Sequence, residues 1–475
     1  QVESRAQMAT LPKMKPKTFY DLAVEVALIR PGPIQGHSVH PYLRRRNGQE
    51  PVRYPDPSAE PVLAKTLGVP IFQEQLMELA RVCAGFDARQ VDRLRQAMTH
   101  KRSEQAMARL RDDVYEGMSG NGITGAGADE IWEKLQGFGQ FGFHESHSVS
   151  FDYIVYMSAW LRFHYPTEFL VGLLNAQPMG FYSPNSLVQD ALRHGVVVLG
   201  PDVNISLHDA TVEPHDADPD DVVSYLGMRW RRGRGAVDDP PRHAMALRMG
   251  LSSVRGLGHG ETTRIEVARQ IGGPFEDSKD FAHRTGLKVE ALESLAASGA
   301  MESIGMGRRE GLWAAGALAE LGPDRLALAP GVEAPSLPGL GDEEQARLER
   351  WATGVSLRHP VSFIRDRLAD AGCITCMEAI EAKTHNRRVR VGGVVTHRQR
   401  PSTAAGIIFF NLEDESGLLN VVVFPDLWAQ QRDVARRNPG LVIDGVLEYE
   451  DGVTNLVAKR FAPFPVEGVS SRNFR

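Results

Sequence analysis

The sequence predicts a multidomain α+β protein, and three observations carry the prediction. Its 475 residues suggest about three domains on length alone. Apolar residues recur at helical spacing from Thr18 to about Asn204, and the last third switches to the two-residue alternation of β-strands. Between those regions, Gly-rich turns separate further short helical stretches. The expected division is a mainly helical domain over 1–205, a helical region over 206–320, a linker with short helices over 321–385, a β-domain over 386–466 and a tail over 467–475.

In the first region one helix runs into Arg30 and is stopped by Pro31, and the Gly/Pro-punctuated turn that follows leads to Arg44, Arg45 and Arg46. Such a layout gathers fixed positive charge beside a rigid turn, which suits holding phosphates. A solvated charge run is the lesser alternative for the triplet. Asp87 and Gln90 form a capping-box variant opening the helix that ends near Met98, and Ser103 suits the cap of the next. Val149 to Phe163 is the longest apolar run, but Asp152 and Arg162 interrupt it, so a buried helix is expected and no membrane span. Val196 to Leu199 reads as a short strand.

Further on, VVSYLGMRW and HAMALRMG are strand-like runs flanking an exposed loop. Val254-Arg-Gly-Leu-Gly258 has the form of a helix-hairpin-helix turn, in which Gly256 and Gly258 let the backbone approach a phosphate and the next helix offers free N–H groups. A plain glycine turn between packed helices is the alternative. Residues 323–341 are rich in Pro and Gly and read as a linker.

Five strand-length runs then follow, RVRVGGVVTH, GIIFFNLED, LLNVVVF, LVIDGVLEY and VTNLVAK, with a helix between the third and fourth. That order is the order of an OB fold, a small five-stranded β-barrel often used on single-stranded nucleic acid. Arg398, Arg400 and Lys459 are the candidate strand contacts. Phe409, Phe410 and Trp428 suit base stacking or the barrel core, and one of the two phenylalanines must point inward.

The formal charge of −6 gives no general attraction for phosphate. The excess is local: residues 1–120 hold 18 Lys and Arg against 14 Asp and Glu, or +4, leaving −10 for the rest. Three cysteines, Cys83, Cys373 and Cys376, exclude a disulfide framework and suit a reducing cytoplasm. Cys373-Ile-Thr-Cys376 has no second ligand pair nearby, and His144 and His147 are not spaced like a zinc-protease pair, so no metal site is expected.

Taken in order, QVESRAQM, ALIRPGPIQG, FQEQLM, LRQAM, GFHESHSVSFDYIVYMSAWLRFHYPTEF and the closing SRNFR resemble the bacterial C-family DNA polymerases, the DNA polymerase III alpha-subunit family. The similarity runs over essentially the whole chain and points to the error-prone, damage-inducible branch. It implies that the helical domain is the polymerase fingers and that the hairpin region is tandem, with Leu295-Ala-Ala-Ser-Gly-Ala300 as its second copy. It implies nucleotide-binding roles for Arg30, Gln73, Gln75, Arg95, Lys101 and His147, and DNA contacts for Arg44 to Arg46, Gly256 and Gly258.

From residue type alone, Arg95 and Lys101 equally suit complementing a helix dipole. The family's second arginine is replaced by Gln96 here, which removes one bidentate phosphate donor. Because the chain opens inside a motif at Gln1, it reads as the C-terminal part of a longer polypeptide. By the same resemblance, the palm aspartates that hold Mg2+ lie upstream and no catalytic residue is expected in this chain. Primer-template DNA, dNTPs and accessory mutasome proteins are the expected partners, with the sliding clamp reached only indirectly. A non-catalytic DNA-binding adaptor and the replicative alpha subunit are the alternatives.

Overall fold

The computed structural model describes residues 2, 5–29, 39–99, 103–137, 143–180, 182–215, 245–323, 331–401, 404, 406–450, 452–466 and 472–474. The chain divides into two compact units, residues 1–159 with 451–453 and residues 160–450 with 454–475.

The first unit is helical. Helix α1 spans Arg5–Met14, α2 Phe19–Leu28, α3 Val39–Arg46, α4 Gln73–Ala84, α5 Ala88–Thr99, α6 Ser103–Gly120 and α7 Ala126–Gly137. Helix α8, Glu145–His164, begins here. Thr18 starts α2 with a reciprocal cap: its hydroxyl accepts the Asp21 N–H and its own N–H donates to the Asp21 carboxylate, which satisfies two donors that a helix start leaves open. The expected pair at α5 is formed in the same way, Asp87 with Gln90. Helix α4 ends at Gly85, whose φ of +66° is the left-handed conformation glycine adopts without a Cβ penalty.

Leu63, Leu76, Leu79, Cys83, Leu94, Met107, Val114, Met118, Ile131 and Leu135 make one core. Val24, Leu28, Tyr42, Ile71 and Phe72 make another.

Helix α8 corrects one expectation. The run read as buried has Ser148 and Asp152 in the interior, while Tyr153, Ile154, Tyr156 and Met157 are exposed. Positions four apart share a face, so Ser148 and Asp152 define the packed stripe; it ends there, because Tyr156, four residues further on the same face, is exposed.

In the second unit, α9 is Pro166–Asn175 and α10 is Pro184–Arg193. A three-stranded sheet follows, from β1 (Val197–Leu199), β2 (Thr211–Pro214) and β3 (Met245–Arg248), in the order β1-β3-β2. The expected strand at Val196–Leu199 and part of HAMALRMG are in it, and β2 was not foreseen. VVSYLGMRW lies outside the described residues.

Helices α11 (His259–Gly272), α12 (Ser278–Thr285), α13 (Val289–Ser298) and α14 (Arg308–Ala319) pack around Leu251, Ile265, Phe281, Leu292, Leu295 and Leu318. Helix α15 is Asp342–Thr353, α16 is Arg365–Asp370 and α17 is Cys376–Glu381.

The barrel strands are β4 (Arg387–Gln399), β5 (Ile408–Glu413), β6 (Leu418–Val423), β7 (Gly440–Glu450) and β8 (Val453–Pro463), with α18 (Pro425–Arg437) between the third and fourth and a short β9 (Arg472–Phe474) after them. Their pairing order is β5-β6-β8-β7-β4, and β4 also pairs with β5. The ring is therefore closed, with β6 and β8 parallel and β9 added alongside β4. This is the five-stranded barrel that the strand order predicted.

Candidate nucleotide and nucleic-acid interface

The FQEQ segment and the start of α8 are built as one piece. The Glu74 carboxylate accepts the Glu145 backbone N–H at 3.0 Å and lies 3.0 Å from His144 Nδ1. A carboxylate at a helix N-terminus satisfies an open donor and complements the dipole. Glu145 in turn accepts from the Tyr20 hydroxyl at 2.7 Å and from Lys65 Nζ at 2.7 and 2.8 Å. Burial, then this hydrogen bond, pushes the Tyr20 hydroxyl far above the usual phenol range. Ser148 Oγ donates to the Ala23 carbonyl at 2.5 Å, which ties α8 to α2.

One consequence is that His147 is exposed, its ring edge-on to Phe143 at 5.3 Å and Phe151 at 4.7 Å. Sequence reasoning named Gln73, Gln75 and His147 but missed Glu74 and Glu145. Their contact spans 71 residues, and no local period announces it.

Gln75 has a different setting from the expected cleft. Its Oε1 accepts the Ile71 and Phe72 N–H groups, and its Nε2 donates to the Val62 carbonyl and the Thr66 hydroxyl. Both ends of the amide are engaged in closing the turn into α4. Gln73 is also buried, with its backbone N–H on the Phe143 carbonyl. Arg95 is exposed on α5, where its guanidinium pairs with Asp92 at 2.8 Å. Arg30 and Lys101 lie outside the described residues.

The triple arginine departs from a solvated run. Arg44 is exposed and pairs with Glu50 at 2.9 Å. Arg45 donates to the Leu67 and Arg53 carbonyls, and Arg46 to the Met14 and Lys15 carbonyls and to Asp21 at 2.7 Å. Arginine's fork of five donors matches such carbonyl clusters, so Arg45 and Arg46 clamp neighbouring segments and do not face solvent as the expected DNA contact required. Burial pushes the Asp21 carboxyl up, but Arg46 and the Lys17 and Thr18 amides outweigh it and hold it at about 2.

Among the described residues of this unit, two carboxylates are buried with no hydrogen-bond partner on either oxygen, Glu25 on α2 and Asp152 on α8. Burial raises Glu25 to about 8 and Asp152 to about 7, because a desolvated carboxyl favours its neutral form.

In the hairpin turn Gly256 has φ +79° with open space where a side chain would stand. Gly258 caps α11, but its N–H is taken by Glu261 Oε2 at 3.0 Å. The expected free amide at that helix start is therefore occupied by a carboxylate from the helix's own first turn. The turn expected as a second copy also has a left-handed glycine, Gly299 at φ +82°.

In the barrel, Phe410 points inward with no exposure, Phe409 is half-buried, and Trp428 packs 6.1 Å from Phe410 against the core. Arg398 corrects an expectation. It is buried, donates to the Asn438 carbonyl at 3.1 Å, and lies over the Phe410 ring at 5.6 Å. Burial and the nearby Arg436 pull it down to about 10. Arg400 and Lys459 are both exposed.

The barrel is fastened within its unit by buried polar contacts: Arg193 on α10 meets Glu413 at 2.9 Å, and Asp414 accepts from Arg365 at 2.9 Å and the Cys376 N–H at 2.8 Å. Cys373 and Cys376 are buried, and burial pushes both thiols up, as suits structural cysteines. No helix among the described residues is long and apolar enough to cross a membrane.

A helical unit, hairpin turns and a closed barrel follow one another along the chain, and the barrel matches a nucleic acid binding domain. Residues 1–122 match the bacterial DNA polymerase III alpha subunit finger domain, 195–311 a helix-hairpin-helix motif and 389–463 an OB-fold nucleic acid binding domain. All of this chain aligns with error-prone DNA polymerases of Mycolicibacterium paratuberculosis, at 47% identity over 482 residues, and Mycobacterium tuberculosis, at 48% over 482 residues. The same holds for the one from Nocardia farcinica, at 48% over 490 residues. The chain spans 41%, 41% and 40% of the length of these relatives. Over its whole length it is similar to these error-prone DNA polymerases, and its first 122 residues match the finger-domain model of the bacterial DNA polymerase III alpha subunit. Among solved structures, asparaginyl-tRNA synthetase from Pyrococcus horikoshii overlaps 21% of this chain and 24% of its own at 16% identity and a TM-score of 0.17, too low to carry an argument.

Proposed function

We propose that this chain is the fingers, helix-hairpin-helix and OB portion of an error-prone, DNA-directed DNA polymerase working in damage-induced translesion synthesis in the cytoplasm. The observation that carries the reading is similarity at 47–48% identity over the whole chain to proteins of that name. In this role the first unit positions an incoming dNTP through Arg30, Arg95, Lys101 and the exposed His147. Gln73 and Gln75 shape the turn into α4 from the interior.

Positioning and charge stabilisation are what such a lid contributes to phosphoryl transfer. The hairpin glycines Gly256 and Gly258, with Arg44, hold primer-template DNA, and Arg400 and Lys459 hold single strand on the barrel. Mg2+ would supply nucleophile activation and leaving-group stabilisation. Among the described residues no group of three or more His, Cys, Asp or Glu side chains is placed to hold a metal ion, and the proposal locates its ligands on a palm outside these 475 residues. Recruitment falls to accessory mutasome proteins, with the sliding clamp engaged indirectly.

The test is Arg95→Ala in the polymerase polypeptide that includes the palm, assayed by single-nucleotide primer extension with Mg2+. A raised KM for dNTP with an unchanged circular-dichroism spectrum is expected. Unchanged kinetics would remove Arg95 from the site, and no extension by the parent protein would remove the polymerase reading.

A further inference from the structure

Beyond the hairpin glycines, the second unit has a groove that none of those roles uses. It encloses about 610 Å3 between the hairpin turn, α14 and α15. Arg255, Arg309, Arg347 and Arg350 line it against one acidic residue, Glu344. Trp351, also on its wall, is 47% exposed, unusual for the largest side chain on a helix that packs against others. The helix carrying it lies outside the stretch that matches the hairpin motif.

The indole is held where it is by the hairpin itself. The Arg255 N–H donates to the Ala352 carbonyl at 2.6 Å, and the Arg255 guanidinium lies over the Trp351 ring at 5.1 Å. An arginine over an aromatic face is a cation–π pair that fixes both side chains. Arg309 is fixed as well, by the Pro338 carbonyl and Glu344. The site therefore presents a positioned aromatic face among cations, beside a turn of the kind that meets a DNA backbone.

We infer that this groove binds single-stranded nucleic acid, with a base stacked on Trp351 and the flanking phosphates held by Arg255, Arg309 and Arg347. Charge selects the class: four guanidinium groups against one carboxylate favour a polyanion, and the half-exposed indole favours one that carries flat rings. Stacking platforms set in basic grooves bind single strands without sequence preference, and guanidinium groups pair with phosphate through parallel N–H donors. The groove would lead an unpaired strand away from the hairpin, and the inference does not depend on whether the first unit grips a triphosphate.

The experiment uses the whole 475-residue chain with a fluorescent dT12 and an abasic oligonucleotide of equal length, followed by anisotropy. Trp351→Ala is expected to weaken dT12 binding about tenfold and to leave the abasic affinity unchanged, with Trp351→Phe close to the parent. Photo-cross-linking of a 5-bromodeoxyuridine oligonucleotide, mapped by peptide mass, separates this groove from the barrel, and a cross-link on Trp351 is expected. Cross-links confined to other segments would overturn the inference. Equal loss of dT12 and abasic binding would overturn it too, as would displacement of the oligonucleotide from the groove by a poly-aspartate peptide with no dependence on Trp351, which would make the occupant an acidic peptide.

Discussion

Replacing Glu25 by Gln tests the interior of the first unit most directly. The carboxyl is fully buried with both oxygens lacking partners, and burial raises it from 4.5 to about 8. A carboxyl that is a weaker acid when folded stabilises the fold fully below its unfolded pKa, and that contribution is lost as the pH rises through the folded value. The loss starts near pH 4.5 and is complete above about pH 8. At 1.36 kcal/mol per unit, the two and a half units between 4.5 and 7 correspond to about 3 kcal/mol at neutral pH.

Glutamine keeps the shape and does not titrate, so Glu25→Gln removes this slope while still burying an amide. The assay is urea unfolding at half-unit steps from pH 5 to 8, followed by hydrogen exchange of the α2 amides so that the second unit does not contribute. The variant is expected to gain on the parent by roughly 1.4 kcal/mol per pH unit until the curves level off near pH 8. Asp152 titrates identically in both proteins and cancels. Parallel curves over the whole range would refute the account, since they would mean that Glu25 meets a partner or solvent.

Three further outcomes concern Asp21, Arg193 and Gly256. Asp21→Asn should cost about 2 kcal/mol at neutral pH, and because its carboxyl is held at about 2, the parent's advantage should fade as pH falls from 3.8 toward 2 in thermal melts. Arg193→Met leaves Glu413 buried opposite an apolar chain and should destabilise the second unit by about 3–5 kcal/mol, read by denaturant titration; a change under 1 kcal/mol would count against a buried ion pair. Gly256→Val forces a branched residue to φ +79°, and anisotropy should show weaker duplex binding with a smaller dependence on salt, whereas unchanged affinity would leave Gly256 as a packing residue.

The barrel was legible because β5, β6 and β7 alternate over most of their length and the turns between strands are marked, so local pattern and tertiary structure agree. The Asp87–Gln90 cap was legible for the same reason, three residues apart. What escaped was set by distant partners. Nothing near Arg46 indicates that the Met14 and Lys15 carbonyls will close on it, and a basic triplet reads as surface until they do. Arg398 lies on β4, where Val391 to Val395 are buried in succession and a register shift between Val395 and His397 follows, so no alternation marks it as inside or outside. Helix α8 was misread because its apolar content exceeds what one packed stripe uses, and composition alone does not say which stripe that is.

The carboxylate of Glu261 on the Gly258 amide has a consequence for how the hairpin would let go of what it holds. A phosphate can take that amide only by displacing an anion tethered three residues away, which is always present and needs no diffusion to return. In the role proposed for the hairpin, each departure would be assisted from within, and the grip would be set toward brief, repeated engagement instead of long residence on one stretch of backbone.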